Sequence, residues 1–159
     1  MTPNQNFYTY NSDGSITVFD LLDLQLAEGT TTLIPSYSLS PTNNDWTTLE
    51  SCVTHPLDLT RLLCSENSRI LEFSIDEPMA FIEEKPQIYP NGMNLQLFSL
   101  RDHDKLVVFS SDKSFKIVET TTFTVLKTIP AANHSNRIDS FSQSYENPDF
   151  IIVSVKGTE

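Results

Sequence analysis

The chain has 159 residues, with 10 Lys and Arg against 21 Asp and Glu, a net charge of −11; apolar residues make up 38% and charged residues 19%. The length suits one domain with a sizeable core, and the charge argues against a nucleic-acid or anionic-membrane partner, both of which need a basic patch. No apolar run approaches the ~18 residues of a membrane span, and Met1-Thr2-Pro3-Asn4-Gln5-Asn6 lacks the regions of a signal peptide. A cytoplasmic or nuclear location and a basic protein partner are the resulting expectations. Cys52 and Cys64 sit in apolar strand-like runs and read as two buried reduced thiols rather than a disulfide or ligand pair.

In chain order, short runs of β-branched and aromatic residues recur, separated by Asp, Asn, Ser, Gly or Pro, which predicts strands. Phe7-Tyr8-Thr9-Tyr10 and Ile16-Thr17-Val18-Phe19 flank Asn11-Ser12-Asp13-Gly14. That is a strong hairpin signal, read as a type I′ turn with two positive-φ residues. Arg61-Leu62-Leu63-Cys64 pairs with Ile70-Leu71-Glu72-Phe73, and Leu106-Val107-Val108-Phe109 with Phe115-Lys116-Ile117-Val118. Phe150-Ile151-Ile152-Val153 begins a fourth pair. With Asp13, Asn67, Asp112 and Lys156 as equivalent turn positions, the spacings are 54, 45 and 44 residues. A period in this range marks a repeat architecture. A further strand is predicted after each pair, at 24–26, 79–82 and 125–129, and another before each, at 48–53, 95–100 and 138–142. Each unit is then a four-stranded antiparallel blade.

These units resemble the WD40 repeat. Asp13-Gly14-Ser15-Ile16-Thr17-Val18-Phe19-Asp20 is similar to the family's turn and third strand, with Phe19 where tryptophan usually stands. His134 lies near the family's Gly-His position, and His55-Pro56 and Asn147-Pro148-Asp149 resemble its turn between first and second strands. No blade carries the full His, Ser/Thr, Asp and Trp set, and the single tryptophan, Trp46, falls in a connection. The resemblance implies an all-β fold of antiparallel four-stranded blades in a WD40-like β-propeller forming a partial ring. Blade one spans about 7–27, blade two 47–84, blade three 93–129, and a partial blade four 136–159. Three explanations of the partial ring stand side by side: a piece of a longer propeller, closure with another chain, or a small independent β-sandwich.

The resemblance implies a non-enzymatic protein–protein interaction scaffold, a subunit of a larger complex that presents propeller loops to a partner. The alternatives are a structural half-propeller that completes its ring by strand pairing, including self-association through open edges, and a hydrolase-type enzyme using His103. The turns 11–14, 65–68 and 111–114 and the connections 28–46, 86–92 and 131–136 are expected at one end. The connection 28–46 reads as a surface insertion or a recognition loop, and Glu83-Glu84 as a solvated turn. Candidate partner-binding residues are Asp13, Leu33, Tyr37, Trp46, Tyr89, Asp112 and His134. No cofactor is expected. His55, His103 and His134 lack metal-ligand spacing, and there is no Gly-x-Ser-x-Gly elbow or phosphate-cradling glycine loop.

Overall fold

β-branched and aromatic side chains dominate the predicted runs, and each run becomes a strand because it packs well on a pleated, buried surface. The computed structural model describes residues 6–20, 35–41, 46–76, 78–100, 103–130, 138–144 and 151–155. Thirteen strands occur among them: β1 (Asn6–Tyr10), β2 (Ile16–Asp20), β3 (Tyr37–Leu39), β4 (Ser51–His55), β5 (Asp58–Glu66), β6 (Arg69–Ser74), β7 (Ala80–Glu84), β8 (Leu95–Leu100), β9 (Lys105–Ser110), β10 (Phe115–Glu119), β11 (Val125–Ile129), β12 (Ile138–Gln143) and β13 (Ile151–Val155). The fold is all-β, and every strand pairing is antiparallel.

The strands form sequential meanders: β1-β2-β3, β4-β5-β6-β7, β8-β9-β10-β11 and the pair β12-β13. The expected strands at 95–100 and 125–129 coincide with β8 and β11. The expected strand at 24–26 lies outside the described residues. The third strand of the first sheet is β3, inside the segment read as a loop, and Tyr37 pairs with Val18 there. Tyr37 is therefore a strand residue rather than a loop residue. Glu83 and Glu84 likewise belong to edge strand β7 rather than a turn.

Three sheets stack in chain order. On β5 and β6, Leu62, Cys64, Leu71 and Phe73 pack with Ile16 and Trp46 toward the first sheet. The alternate residues Leu63 and Ile70 pack with Leu95, Leu97, Leu106, Val108 and Val118 of the third. The period-2 geometry of a strand sends neighbours to opposite faces, so a sheet lying between two others is buried on both. This is why Leu62–Glu66 of the middle sheet is buried without interruption, and why its apolar residues run consecutively rather than alternate.

The cysteines correct the expectation of reduced thiols. Cys52 on β4 lies opposite Cys64 on β5, their Cα atoms 4.1 Å apart, and they form a disulfide. The close spacing is that of a non-hydrogen-bonded antiparallel pair, where facing side chains approach most closely. Both thiols do belong to apolar runs. What the composition did not supply was the register that sets them face to face.

Candidate partner-binding end

Two hairpin turns share one construction. In the first, Asn11 N donates to Ser15 O (2.8 Å) and Gly14 N to Asn11 O (2.9 Å), with Gly14 at φ +80°. In the second, Ser110 N donates to Ser114 O (3.0 Å) and Lys113 N to Ser110 O (2.9 Å), with Lys113 at φ +70°. One positive φ after a tight i→i+3 turn is the three-residue hairpin with a bulge, not the expected type I′ turn, which needs two. Asp13 Oδ1 accepts from Ser15 N (2.9 Å) and Ser15 Oγ (2.7 Å). Asp112 Oδ1 accepts from Ser114 N (2.8 Å) and Ser114 Oγ (2.7 Å). The Ser15 bonds hold the Asp13 carboxyl below its ordinary range. At Asp112 burial pushes upward, but the Ser114 bonds outweigh it and the net shift is also downward. Both aspartates are thus anionic turn-formers with one oxygen already committed. The middle turn, between β5 and β6, has only Asn67 and Ser68 between paired Glu66 and Arg69, with Asn67 at φ +50°.

The connections return to these turns. Trp46 Nε1 donates to Gly14 O (2.7 Å). Glu66 Oε1 accepts from Thr47 N (2.5 Å), Thr47 Oγ1 (2.9 Å) and Thr48 N (3.3 Å), while its other oxygen pairs with Arg69. Burial alone would raise the Glu66 carboxyl; these donors reverse the shift and hold it low. Asn94 N and Ser111 Oγ (3.2 Å), and Ser111 N and Asn94 O (2.9 Å), join the next connection to the turn of the third sheet. Lys116 Nζ donates to Ile88 O and lies 4.2 Å from the centre of the Tyr89 ring.

Trp46 and Tyr89, both candidate partner-binding residues, are buried; for Tyr89 this is the packing role that its sequence context slightly favours over an exposed one. Trp46 is 2% exposed and packs edge-on against Phe73 with ring centres 5.0 Å apart. Tyr89 is 4% exposed, and its hydroxyl lies 3.2 Å from Val108 O and 3.3 Å from Ser114 O. Burial pushes its hydroxyl up to about 12, although Ser114 Oγ donates to it at 3.3 Å. Each aromatic bolts a connection to the sheets, and neither offers its ring to a partner. Asp13 and Asp112 stay at exposed turns. Leu33 and His134 lie outside the described residues, and of Tyr37 only the backbone pairing is described.

A cavity of about 470 Å³ opens at this end, lined by Glu50, Asn94, Leu95, Gln96, Phe109, Ser111 and Lys113. Sequence reasoning singled out none of these as binding residues. They become neighbours because β4 and β8, the first strands of consecutive sheets, meet where Ser51 Oγ accepts from Leu97 N (3.1 Å) and Ser65 Oγ donates to Leu95 O (2.7 Å). Leu95 and Phe109 are buried, Asn94, Gln96, Ser111 and Lys113 are exposed, and Glu50 is half-buried. The Glu50 Oε2 atom is sealed from water and has no hydrogen-bond partner among the described residues.

A second polar group spans the middle and third sheets. Glu72, 1% exposed, pairs with Arg61 at 2.7 Å and with Lys85. Burial would raise its carboxyl, but the two cations overcome this and lower it. His55 is held low mainly by burial, against the pull of Glu72, Asp104 and Asp58, and its Nδ1 accepts from Leu57 N (3.2 Å). His103 lies in the turn before β9, its N–H donating to Leu100 O at 3.3 Å. No group of three or more His, Cys, Asp or Glu among the described residues is arranged to hold a metal ion, and no described helix is long and apolar enough to cross a membrane.

No protein-family model matches the sequence, and no curated protein is significantly similar to it.

Proposed function

We propose that the chain is an arc of a WD40-like β-propeller that acts as a non-enzymatic interaction scaffold, presenting the loops of one end to a partner protein that carries a basic segment. The observation that carries this reading is the convergence of turns and connections: Trp46 and Thr47 fasten on Gly14 and Glu66, and Asn94 on Ser111. A rigid stack of sheets that fixes several loops together lets them bind with little further ordering cost. The net charge of −11 selects basic partners and speeds their encounter. The test is binding of the full chain to extended peptides of equal length carrying Lys/Arg, neutral or Asp/Glu side chains. Basic peptides should bind best, with affinity falling as salt rises. Equal binding of all three sets, or of none, overturns the proposal.

A second reading, ring completion by strand pairing, draws on the outer strands. Edge strands β7 and β11 leave Ile82, Val125 and Leu126 exposed, and unpaired apolar edges invite strand addition. Light scattering on a sizing column decides it: a sharp peak near twice 18.0 kDa supports pairing, and a clean monomer retires it.

A further inference from the structure

The cavity beside Glu50 has the anatomy of a side-chain pocket: a buried apolar floor, an exposed polar rim and one carboxylate in the wall. Its floor is Leu95 and Phe109, and its rim is Asn94, Gln96, Ser111 and Lys113. A volume of about 470 Å³ is ample for one long side chain. The Glu50 Oε2 atom is sealed and without a partner among the described residues, and it becomes an acceptor for a bound donor when the half-buried side chain turns toward the cavity. Burying such an atom unsatisfied is costly, so the wall favours a ligand that brings N–H groups. Lys113 is the cation on the same rim, but it is exposed to water that screens it.

We infer that this pocket takes a lysine or arginine side chain of the partner protein, its alkyl stem on Phe109 and Leu95 and its cationic head on the Glu50 carboxylate. Lysine and arginine are the residues that bury a stem and carry a donor at its tip. The inference rests on the scaffold reading above and gives it a single anchoring point. It also accounts for position. Glu50 N donates to Ser65 O (2.8 Å), extending the β4 edge by one residue, so the backbone that carries the carboxylate belongs to the sheet rather than to a loose loop.

The experiment uses the full chain and four probes: the N-acetyl methylamides of arginine, lysine, norleucine and glutamate, titrated against backbone amide NMR signals. The arginine and lysine probes should shift Leu95, Gln96 and Ser111 in a saturable way, and norleucine and glutamate should not. Glu50→Gln should weaken the cationic probes about tenfold, the worth of one charge-assisted hydrogen bond, without losing the dispersed spectrum. Gln96→Glu, which adds a second carboxylate on the exposed rim, should strengthen them about threefold, the order of one solvent-screened charge pair. Norleucine binding as well as lysine, or unchanged affinity in Glu50→Gln, overturns the inference. So does the absence of saturable shifts at these three residues. If basic peptides bind the chain but Glu50→Gln leaves that binding intact, the scaffold reading survives and the pocket assignment alone falls.

Discussion

The two faces of the middle sheet are built from alternate residues of the same strands, and they are held by different forces. Toward the first sheet, Leu62, Leu71 and Phe73 meet Ile16 and Trp46 in a wholly apolar contact. Toward the third sheet, Leu63 and Ile70 share the face with Ser65 and Glu72. Each polar group there reaches a partner: Ser65 Oγ bonds Leu95 O at 2.7 Å, and Glu72 takes Arg61 and Lys85. The comparison teaches that burial alone can join two sheets, while a mixed face depends on partners for the polar groups it buries. It also predicts different sensitivities. Near neutral pH the first face should be insensitive, because the buried Glu66 carboxylate beside it is held low by Thr47, Thr48 and Arg69 and titrates only in acid, and the second should not.

The largest effect should come from emptying the apolar face. Trp46→Ala removes the largest fully buried side chain and its bond to Gly14 O. The expected cost is about 3–5 kcal/mol, as for other buried aromatics cut to alanine. Urea unfolding followed by circular dichroism checks it, and the loss should be the same at pH 5 and pH 8. Trp46→Phe should recover most of the packing and lack only the hydrogen bond, at about 1 kcal/mol. Next in size is the disulfide at the edge of this face. Reduction, or Cys52→Ser with Cys64→Ser, frees a loop with a sequence separation of 12 and should cost about 3 kcal/mol in the chain-entropy account. Alkylation with and without reductant supplies the direct check: the cysteines should react only after reduction.

The mixed face should respond to smaller changes and to acid. Glu72→Ala leaves Lys85 and Arg61 without their buried partner. Arg61 is 43% exposed and can turn to water, so the expected cost is about 2 kcal/mol, below the figure for a fully buried pair. Removing the charges together, as Glu72→Leu with Lys85→Met, should return part of that loss. Glu72 has a folded value below its ordinary one. Its contribution is therefore complete above the usual carboxylate range and disappears as pH falls through the lowered value. His55 is also lowered, chiefly by burial. The unfolded chain then takes the proton first, and stability declines as pH drops below about 6.5 toward the folded value. Unfolding free energy against pH should show an upper shoulder from His55 and a lower fall from the carboxylates. His55→Asn should erase the shoulder and leave the fall.

The same contrast explains what the sequence made legible. The hairpins centred on 67 and 112 and strands β8 and β11 were readable, because apolar runs bounded by turn residues report local pairing. Burial on both faces was not readable, because a strand covered twice loses its alternation. The disulfide was hidden in register. With strands expected at 48–53 and from 61, and a turn at His55-Pro56, folding one onto the other brings 52 toward 64; the pairing was implicit in the hairpin rather than in the cysteine count. Strand β3 is three residues in a segment of Thr, Pro, Ser and Asn, too short for any periodicity. The Glu50 cavity was invisible for a different reason. Glu50 lies just before β4, and Asn94 and Ser111 belong to the next sheet, so only the packing of sheet on sheet makes them neighbours.

The last pair of variants, which includes the smallest expected effect, tests the comparison at the level of one backbone angle. Gly14 and Lys113 occupy the same position in equivalent turns, at φ +80° and +70°. The first turn is roofed by the connection: a Cβ on Gly14 would stand 2.5 Å from Thr47 O. The second is open, and Lys113 is exposed on the cavity rim. The angle disfavours any side chain by about 1 kcal/mol, so glycine is obligatory only where a roof adds a clash. Gly14→Ala should therefore cost about 2 kcal/mol, more than the angle alone, because backbone must shift to admit the methyl group. Lys113→Gly should do the opposite and stabilise by a few tenths of a kcal/mol at most, since relief of the angle is largely offset by the added freedom of the unfolded chain. Thermal melts of the two variants measure both signs together. Equal and opposite shifts would mean that the roof over Gly14 contributes nothing. A larger loss at Gly14 than gain at Lys113 would show that the Trp46–Thr48 connection, by closing over the turn, restricts which residue the turn can hold.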